Sequence, residues 1–166
     1  MKKVFLTLTA ATFLFAACNN SSETTNTEAT EQTAPAEEED SNVAEVELNA
    51  GDDMKYDVTE ITVKEGQTVK LTLNHTGTAP VVAMGHNFVL LKQGTDLAKF
   101  AEAAMSAQAT DYIPEAQAGD VIAHTTTIGG GESTEVEFAA PAKGTYEFLC
   151  SFPGHSAIMK GHFIVE

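Results

Sequence analysis

Cys150-Ser151-Phe152-Pro153-Gly154-His155-Ser156-Ala157-Ile158-Met159 brings a thiol, an imidazole and a thioether within ten residues, spaced C-x₄-H-x₃-M. These are the soft and borderline donors that copper prefers. The stretch closes a run of strand-forming residues, 146–150, and its Pro-Gly pair lets the chain fold back so that all three side chains can meet one ion. One loop does not complete a trigonal site with two imidazoles. A second histidine has to arrive from elsewhere, from among His75, His86, His124 and His162. His86 is the best placed, because Met84-Gly85-His86-Asn87-Phe88 opens a predicted strand 64 residues before Cys150. The glycine ahead of it leaves its carbonyl free of side-chain cover, close to whatever the imidazole binds.

Outward from that loop, residues 44–166 read as short runs in which apolar and polar residues alternate. Val46-Glu47-Leu48, Tyr56-Asp57-Val58, Ile61-Thr62-Val63 and Val69-Lys70-Leu71-Thr72-Leu73 come first, and 87–91, 135–138, 146–150 and 161–165 follow. β-Branched and aromatic residues are frequent, and glycines punctuate the runs. The pattern predicts an all-β fold, an antiparallel sandwich or barrel of about seven or eight strands. Residues 95–109 break it. They are rich in alanine, with Leu97, Phe100, Ala101, Ala104 and Met105 at helical spacing and Asp96 near the start, so one short helix is expected between two strands. Met105, like Met54, is expected to pack, with Met54 at the border of an apolar patch.

Composition narrows the function classes. The 166 residues allow one ordinary domain with extra sequence, and 43% hydrophobic residues exclude wholesale disorder. A net charge of -15, without a single arginine, repels phosphate backbones and excludes nucleic acid as a partner. The two cysteines, Cys18 and Cys150, are too far apart in sequence and setting for a disulfide scaffold. Residues 44–166 hold 17 acids against seven lysines, a solvated surface that biases the domain toward partners with a basic face.

The N-terminal residues 1–17 read as an export signal. Lys2 and Lys3 precede the 14 uncharged residues 4–17, shorter than the about 20 needed to cross a bilayer. Leu14-Phe15-Ala16-Ala17-Cys18 resembles the bacterial lipobox, with Phe15 at a place where an aliphatic residue is usual. That resemblance implies a lipid on Cys18 and an exported protein anchored to a membrane on the periplasmic or cell-envelope side. The alternative is an ordinary signal peptide cleaved nearby, with Cys18 incidental. Residues 18–43 carry seven acids and no base in a Ser, Thr, Asn, Ala and Pro background, the composition of an extended tether.

Several of these stretches together resemble the azurins, blue copper electron carriers of the cupredoxin family. They are Asn74-His75-Thr76-Gly77, Met84-Gly85-His86-Asn87, Val121-Ile122-Ala123-His124-Thr125 and the run from Cys150 to Gly161. The resemblance covers residues 44–166 and implies a Greek-key cupredoxin sandwich holding one type 1 copper. It implies His86, Cys150 and His155 as the trigonal ligands, Met159 as the long axial ligand, and the Gly85 carbonyl on the opposite side. Asn87 would pin the two ligand loops together, with backbone N–H groups on the Cys150 sulfur. Met84, Phe152, Pro153, His155 and Ala157 would form the apolar patch through which electrons pass. His75 would sit beside the site without binding metal, and His124 would lie on the surface; His162 has no counterpart in the family and is expected on the surface as an ordinary polar residue. The chain departs from the family in lacking the N-terminal disulfide, since Cys150 is the domain's only cysteine, and in carrying Phe88 where a tryptophan is frequent.

The implied function is single-electron transfer, Cu(I)/Cu(II), between redox proteins such as c-type cytochromes, copper reductases or terminal oxidases, without an enzymatic step. A copper storage or delivery protein would use the same ligands but calls for exposed, exchangeable Met- and His-rich sites. A copper nitrite reductase would need a second, three-histidine site and a second domain, for which the chain is too short.

Overall fold

A computed structural model describes residues 42–166. The export signal, Cys18 and nearly all of the acidic tether lie outside the described residues. Among the described residues, eight strands form two sheets. The first has the order β1-β3-β6, from β1 (Val43–Ala50), β3 (Thr68–His75) and β6 (Ser133–Ala139). The second has the order β2-β8-β7-β4-β5, from β2 (Glu60–Val63), β8 (Lys160–Val165), β7 (Gly144–Leu149), β4 (Val89–Leu91) and β5 (Val121–His124). Pairs β1/β3 and β2/β8 are parallel and the others antiparallel, the crossed connectivity of a Greek-key sandwich.

Period-two alternation sets which residues fill the space between the sheets. Val69, Leu71 and Leu73 on β3 face inward with Leu48 of β1, and meet Ile61, Val63, Leu90, Phe148, Phe163 and Val165 of the other sheet. Each such side chain contributes on the order of 1.5–3 kcal/mol by leaving water. β4 is buried on both faces, which explains why Phe88-Val89-Leu90-Leu91 reads as an unbroken apolar run. Leu90 points into the main core. Val89 and Leu91 point the other way and pack with Phe100, Ile113 and Leu149 in a second cluster.

That second cluster is roofed by α2 (Leu97–Ala104), the helix expected from the sequence. Asp96 is its N-cap, accepting from the Lys99 N–H at 3.1 Å, and Phe100 and Ala104 form its buried face. The helix is shorter than the 95–109 expectation. Ser106 and Thr110 turn their hydroxyls onto the Ala103 and Ala107 carbonyls, and Asp111 and Tyr112 take positive φ, so the chain leaves the helical path. Met105 therefore does not pack: it lies past the helix end and is 56% exposed. Tyr56-Asp57-Val58 is likewise no strand. Tyr56 makes an isolated bridge to Ala50, while the Asp57 carboxylate accepts from the Asn49 backbone and side-chain amides at 2.8 Å each, which bends the segment. β5 escapes the alternation pattern because it is an edge strand with Ala123 as its one buried residue.

Candidate metal centre

Cys150 follows directly on β7, and the chain then turns twice. Gly154 holds φ 85° and ψ −13°, and the His155 N–H donates to the Phe152 carbonyl at 3.0 Å. This is a type II turn, for which proline presets the first central position and glycine supplies the left-handed second. The fold-back anticipated from Pro153-Gly154 is thus a local property of the sequence. The His155 carbonyl next accepts from the N–H groups of Ile158 at 3.1 Å and Met159 at 2.8 Å, and the Cys150 N–H donates to the Met159 carbonyl at 2.9 Å. These bonds close the loop at the start of β8. Met159 is fully buried in the same core cluster as Cys150.

His86 arrives from the other side, after the single turn α1 (Val81–Met84) and Gly85. It exchanges two backbone hydrogen bonds with Ile128, 3.0 and 2.9 Å long. Gly85 admits no side chain: a Cβ would stand 2.7 Å from the Val81 carbonyl oxygen and 2.8 Å from the Phe152 ring.

The result is a buried group of His86, Cys150 and His155 whose ligand atoms all lie within 4.8 Å of one another. The Cys150 Sγ is 3.6 Å from the His155 Nδ1 and 3.9 Å from the Gly85 carbonyl oxygen. The His86 Nε2–H donates to the Gly51 carbonyl at 2.9 Å, which leaves Nδ1 with the lone pair, and that atom is buried with no hydrogen-bond partner. Buried polar atoms are almost always satisfied, so an orphaned acceptor beside a thiol and a second imidazole has the character of a metal ligand.

Electrostatics agree. Burial, assisted by the neighbouring His86 and His75, pushes His155 down to about 4, and burial also lowers His86. Burial pushes the Cys150 thiol up to about 11, against the opposing pull of the Asn87 and Phe152 N–H groups directed at its sulfur. At neutral pH the two imidazoles are ready donors and the thiol holds a proton that a bound cation displaces. One sulfur and two imidazoles, buried and close together, suit copper.

The remaining predicted residues surround this group. Asn87 is fully buried; its Nδ2 donates to Ser151 Oγ at 2.9 Å and to the Asp111 carbonyl at 3.0 Å, and its Oδ1 accepts from the Ser151 N–H at 2.9 Å. It thereby joins the His86 and Cys150 segments. Phe152 packs on the His155 ring at 4.7 Å. At the surface, Ala157 is exposed, Met84 and Pro153 are half-buried, and only narrow edges of Phe152 and His155 reach solvent, at 8% and 3%. His75 stacks on His86 with ring centroids 4.4 Å apart. Its Nδ1 accepts from the Gly77 N–H at 3.1 Å and its Nε2–H donates to the Met84 carbonyl at 2.8 Å, so both nitrogens are occupied. His124 and His162 are exposed, and Met54 is partly buried against the main core.

Four residues escaped the sequence reading. Gly51 acts through its carbonyl alone, which no residue pattern advertises. Asp52 next to it accepts from the Thr78 and Ala79 N–H groups at 2.9 and 3.2 Å, bonds that hold its carboxyl below the usual range and brace the connection from β3 to α1. The exposed Val81 and Val82 of α1 extend the apolar surface next to Met84; the signal was the uncharged run Ala79–Gly85.

Comparison with known proteins agrees with this geometry. The profile of copper binding proteins of the plastocyanin/azurin family matches residues 42–166. Azurin of Pseudomonas chlororaphis is 41% identical over 128 residues, covering 73% of this chain and 97% of its own. Outer membrane protein H.8 of Neisseria gonorrhoeae is 38% identical over 117 residues, 69% of this chain and 63% of its own. The solved structure of auracyanin A, a "blue" copper protein of Chloroflexus aurantiacus, superposes with a TM-score of 0.68 at 35% identity, covering 75% of this chain and 99% of that one. The chain belongs to the plastocyanin/azurin family of copper-binding proteins, as an azurin-like cupredoxin whose cofactor is a single type 1 copper.

Proposed function

We propose that the protein is a one-electron carrier that works outside the cytoplasm, tethered to a membrane. The observation that carries the site assignment is the orphaned Nδ1 of His86, held toward Cys150 and His155 by the Gly51 carbonyl. His86 Nδ1, Cys150 Sγ and His155 Nδ1 would hold the copper as its three strong donors, with the Met159 thioether and the Gly85 carbonyl as weaker ones. Bound copper supplies the Cu(I)/Cu(II) couple. The chain's contribution is to hold its donors still: Asn87 ties the two ligand segments, the 150–159 loop is closed by its own hydrogen bonds, and the ligands are buried in a packed sandwich. Donors that cannot rearrange keep the structural change between oxidation states small.

The burial of His86, Cys150 and His155 argues against copper storage or delivery, which calls for exposed, exchangeable donors, and against an enzyme, which needs an open position. Met84, Phe152, Pro153, His155 and Ala157 form the contact surface, where c-type cytochromes, copper reductases or terminal oxidases dock. Residues 1–17 are the export signal, Cys18 the lipidated residue, 18–43 the acidic tether and 44–166 the copper domain. The likeness to an outer membrane protein supports a cell-envelope location.

The copper-loaded protein should display an intense thiolate-to-copper band in the visible region and narrow copper hyperfine splitting in its paramagnetic-resonance spectrum, and Cys150→Ser should abolish the band. A pale complex with ordinary splitting would overturn the ligand assignment.

A further inference from the structure

Tyr56 is a buried phenol that the electron-carrier reading does not use. It sits outside every strand, bridging Ala50, the residue before the Gly51 whose carbonyl holds His86. Its ring packs on Phe148 of β7 at 5.6 Å, two residues before Cys150. Its hydroxyl donates to the Asn87 carbonyl at 2.5 Å. Burial, and next the nearby Cys150, push its ionisation well above the ordinary range, so it remains a donor at any working pH.

We propose that Tyr56 is a positioning residue for the copper thiolate: its hydroxyl fixes the Asn87 main chain, and through it the N–H that Asn87 directs at the Cys150 sulfur. Asn87 is also held at both polar atoms of its side chain, by Ser151 and Asp111, and Asp111 in turn accepts from the Thr127 N–H at 3.1 Å while in a positive-φ conformation. Positive φ in a non-glycine residue persists where surroundings over-determine it. The Tyr56 hydroxyl adds a side-chain bond to the Asn87 carbonyl, beside the His86–Ile128 backbone pair and the Phe88 N–H that donates to Thr125 Oγ1 at 3.0 Å, which hold the peptides on either side. A weaker N–H···S bond leaves more electron density on the thiolate. That favours the oxidised metal and brings the thiolate-to-copper transition to lower energy. The proposal rests on Cys150 being the copper thiolate.

The test compares Tyr56→Phe with Tyr146→Phe in the full chain. Both variants keep the ring and lose one hydroxyl donor to a backbone carbonyl; the Tyr146 hydroxyl donates to Ala142 at 2.6 Å, and Tyr146 lies four residues upstream of Cys150 along β7. In the copper-loaded protein, Tyr56→Phe should shift the band to lower energy and lower the reduction potential, and Tyr146→Phe should move neither. In the metal-free protein, amide exchange at Asn87 and Ser151 should be about tenfold faster in Tyr56→Phe than in Tyr146→Phe, the factor expected for one lost buried hydrogen bond. Unmoved band and potential, with both variants losing comparable stability, would reduce Tyr56 to an ordinary core tyrosine. Absence of the band in the unaltered protein would refute the copper reading instead, and the metal-free exchange rates would still decide on Tyr56: equal rates in the two variants would refute it.

Discussion

Replacing Asn87 with alanine tests whether the two ligand segments are joined by a single side chain. The substitution removes three hydrogen bonds, two to Ser151 at 2.9 Å and one to the Asp111 carbonyl at 3.0 Å. A typical intramolecular hydrogen bond contributes about 1 kcal/mol net, and a buried donor left without a partner costs about 1–3 kcal/mol. Ser151 is 1% exposed, so its N–H has no water to turn to and falls under the second figure. The three losses together come to about 3–5 kcal/mol. With a urea m-value near 2 kcal/mol/M for a domain of this size, the midpoint of the metal-free protein should fall by roughly 1.5–2.5 M. Urea unfolding followed by circular dichroism measures it, with Asn87→Asp as a companion that keeps one acceptor toward the Ser151 N–H. A midpoint within about 0.5 M of the unaltered protein, at unchanged m, would mean that the backbone alone holds the 150–159 loop and that the clamp is not what joins it to His86.

Other consequences are as direct. Met159→Leu should keep the visible band while moving the reduction potential, because an axial thioether tunes the couple more than it holds the ion; voltammetry checks it, and loss of colour would refute the axial role. Gly154→Ala places a Cβ at φ 85° and should cost about 1 kcal/mol in the metal-free protein, measured by the same urea transition. Loading with Cu(II) at pH 7 should release about one proton, the one held by the Cys150 thiol at about 11, since His155 at about 4 is already neutral; titration in weak buffer counts it. The depressed His155 and His86 also fix the sign of a pH effect. The unfolded chain takes up protons near the ordinary value of about 6.5 and the folded one resists them, so metal-free stability is full above that pH and is lost as pH falls toward about 4. Urea midpoints at successive pH values check this, and a His155→Gln variant with an unchanged slope would refute the assignment.

Much of the site is legible because its chemistry is local. The C-x₄-H-x₃-M spacing names three donors, and Pro153-Gly154 specifies the turn that brings His155 back beneath Cys150, both from bonds made within a few residues. The period-two runs around Val69–Leu73 and the helix capped by Asp96 are local in the same sense: side-chain direction and capping are decided by neighbours in the chain. Where the sequence misled, bonds that the pattern does not announce outweighed it. Tyr56-Asp57-Val58 alternates like a strand, yet Asp57 is taken by Asn49 and Tyr56 by Asn87. Met105 has helical spacing, yet the turn through Asp111 and Tyr112 leaves it outside.

By itself, then, the sequence determined the donor types, the loop that carries three of them, the β-rich alternation and the acidic balance, all consequences of composition and near-neighbour stereochemistry. Only the tertiary structure decided which face of His86 meets that loop. The carbonyl of Gly51, 35 residues away, fixes the tautomer; the amide of Asn87 crosses 64 residues to hold Ser151; and the hydroxyl of Tyr56 reaches the same asparagine from a third segment. Backbone carbonyls look alike at every position of a sequence, and it takes the closed sandwich to bring one of them to a particular ring nitrogen.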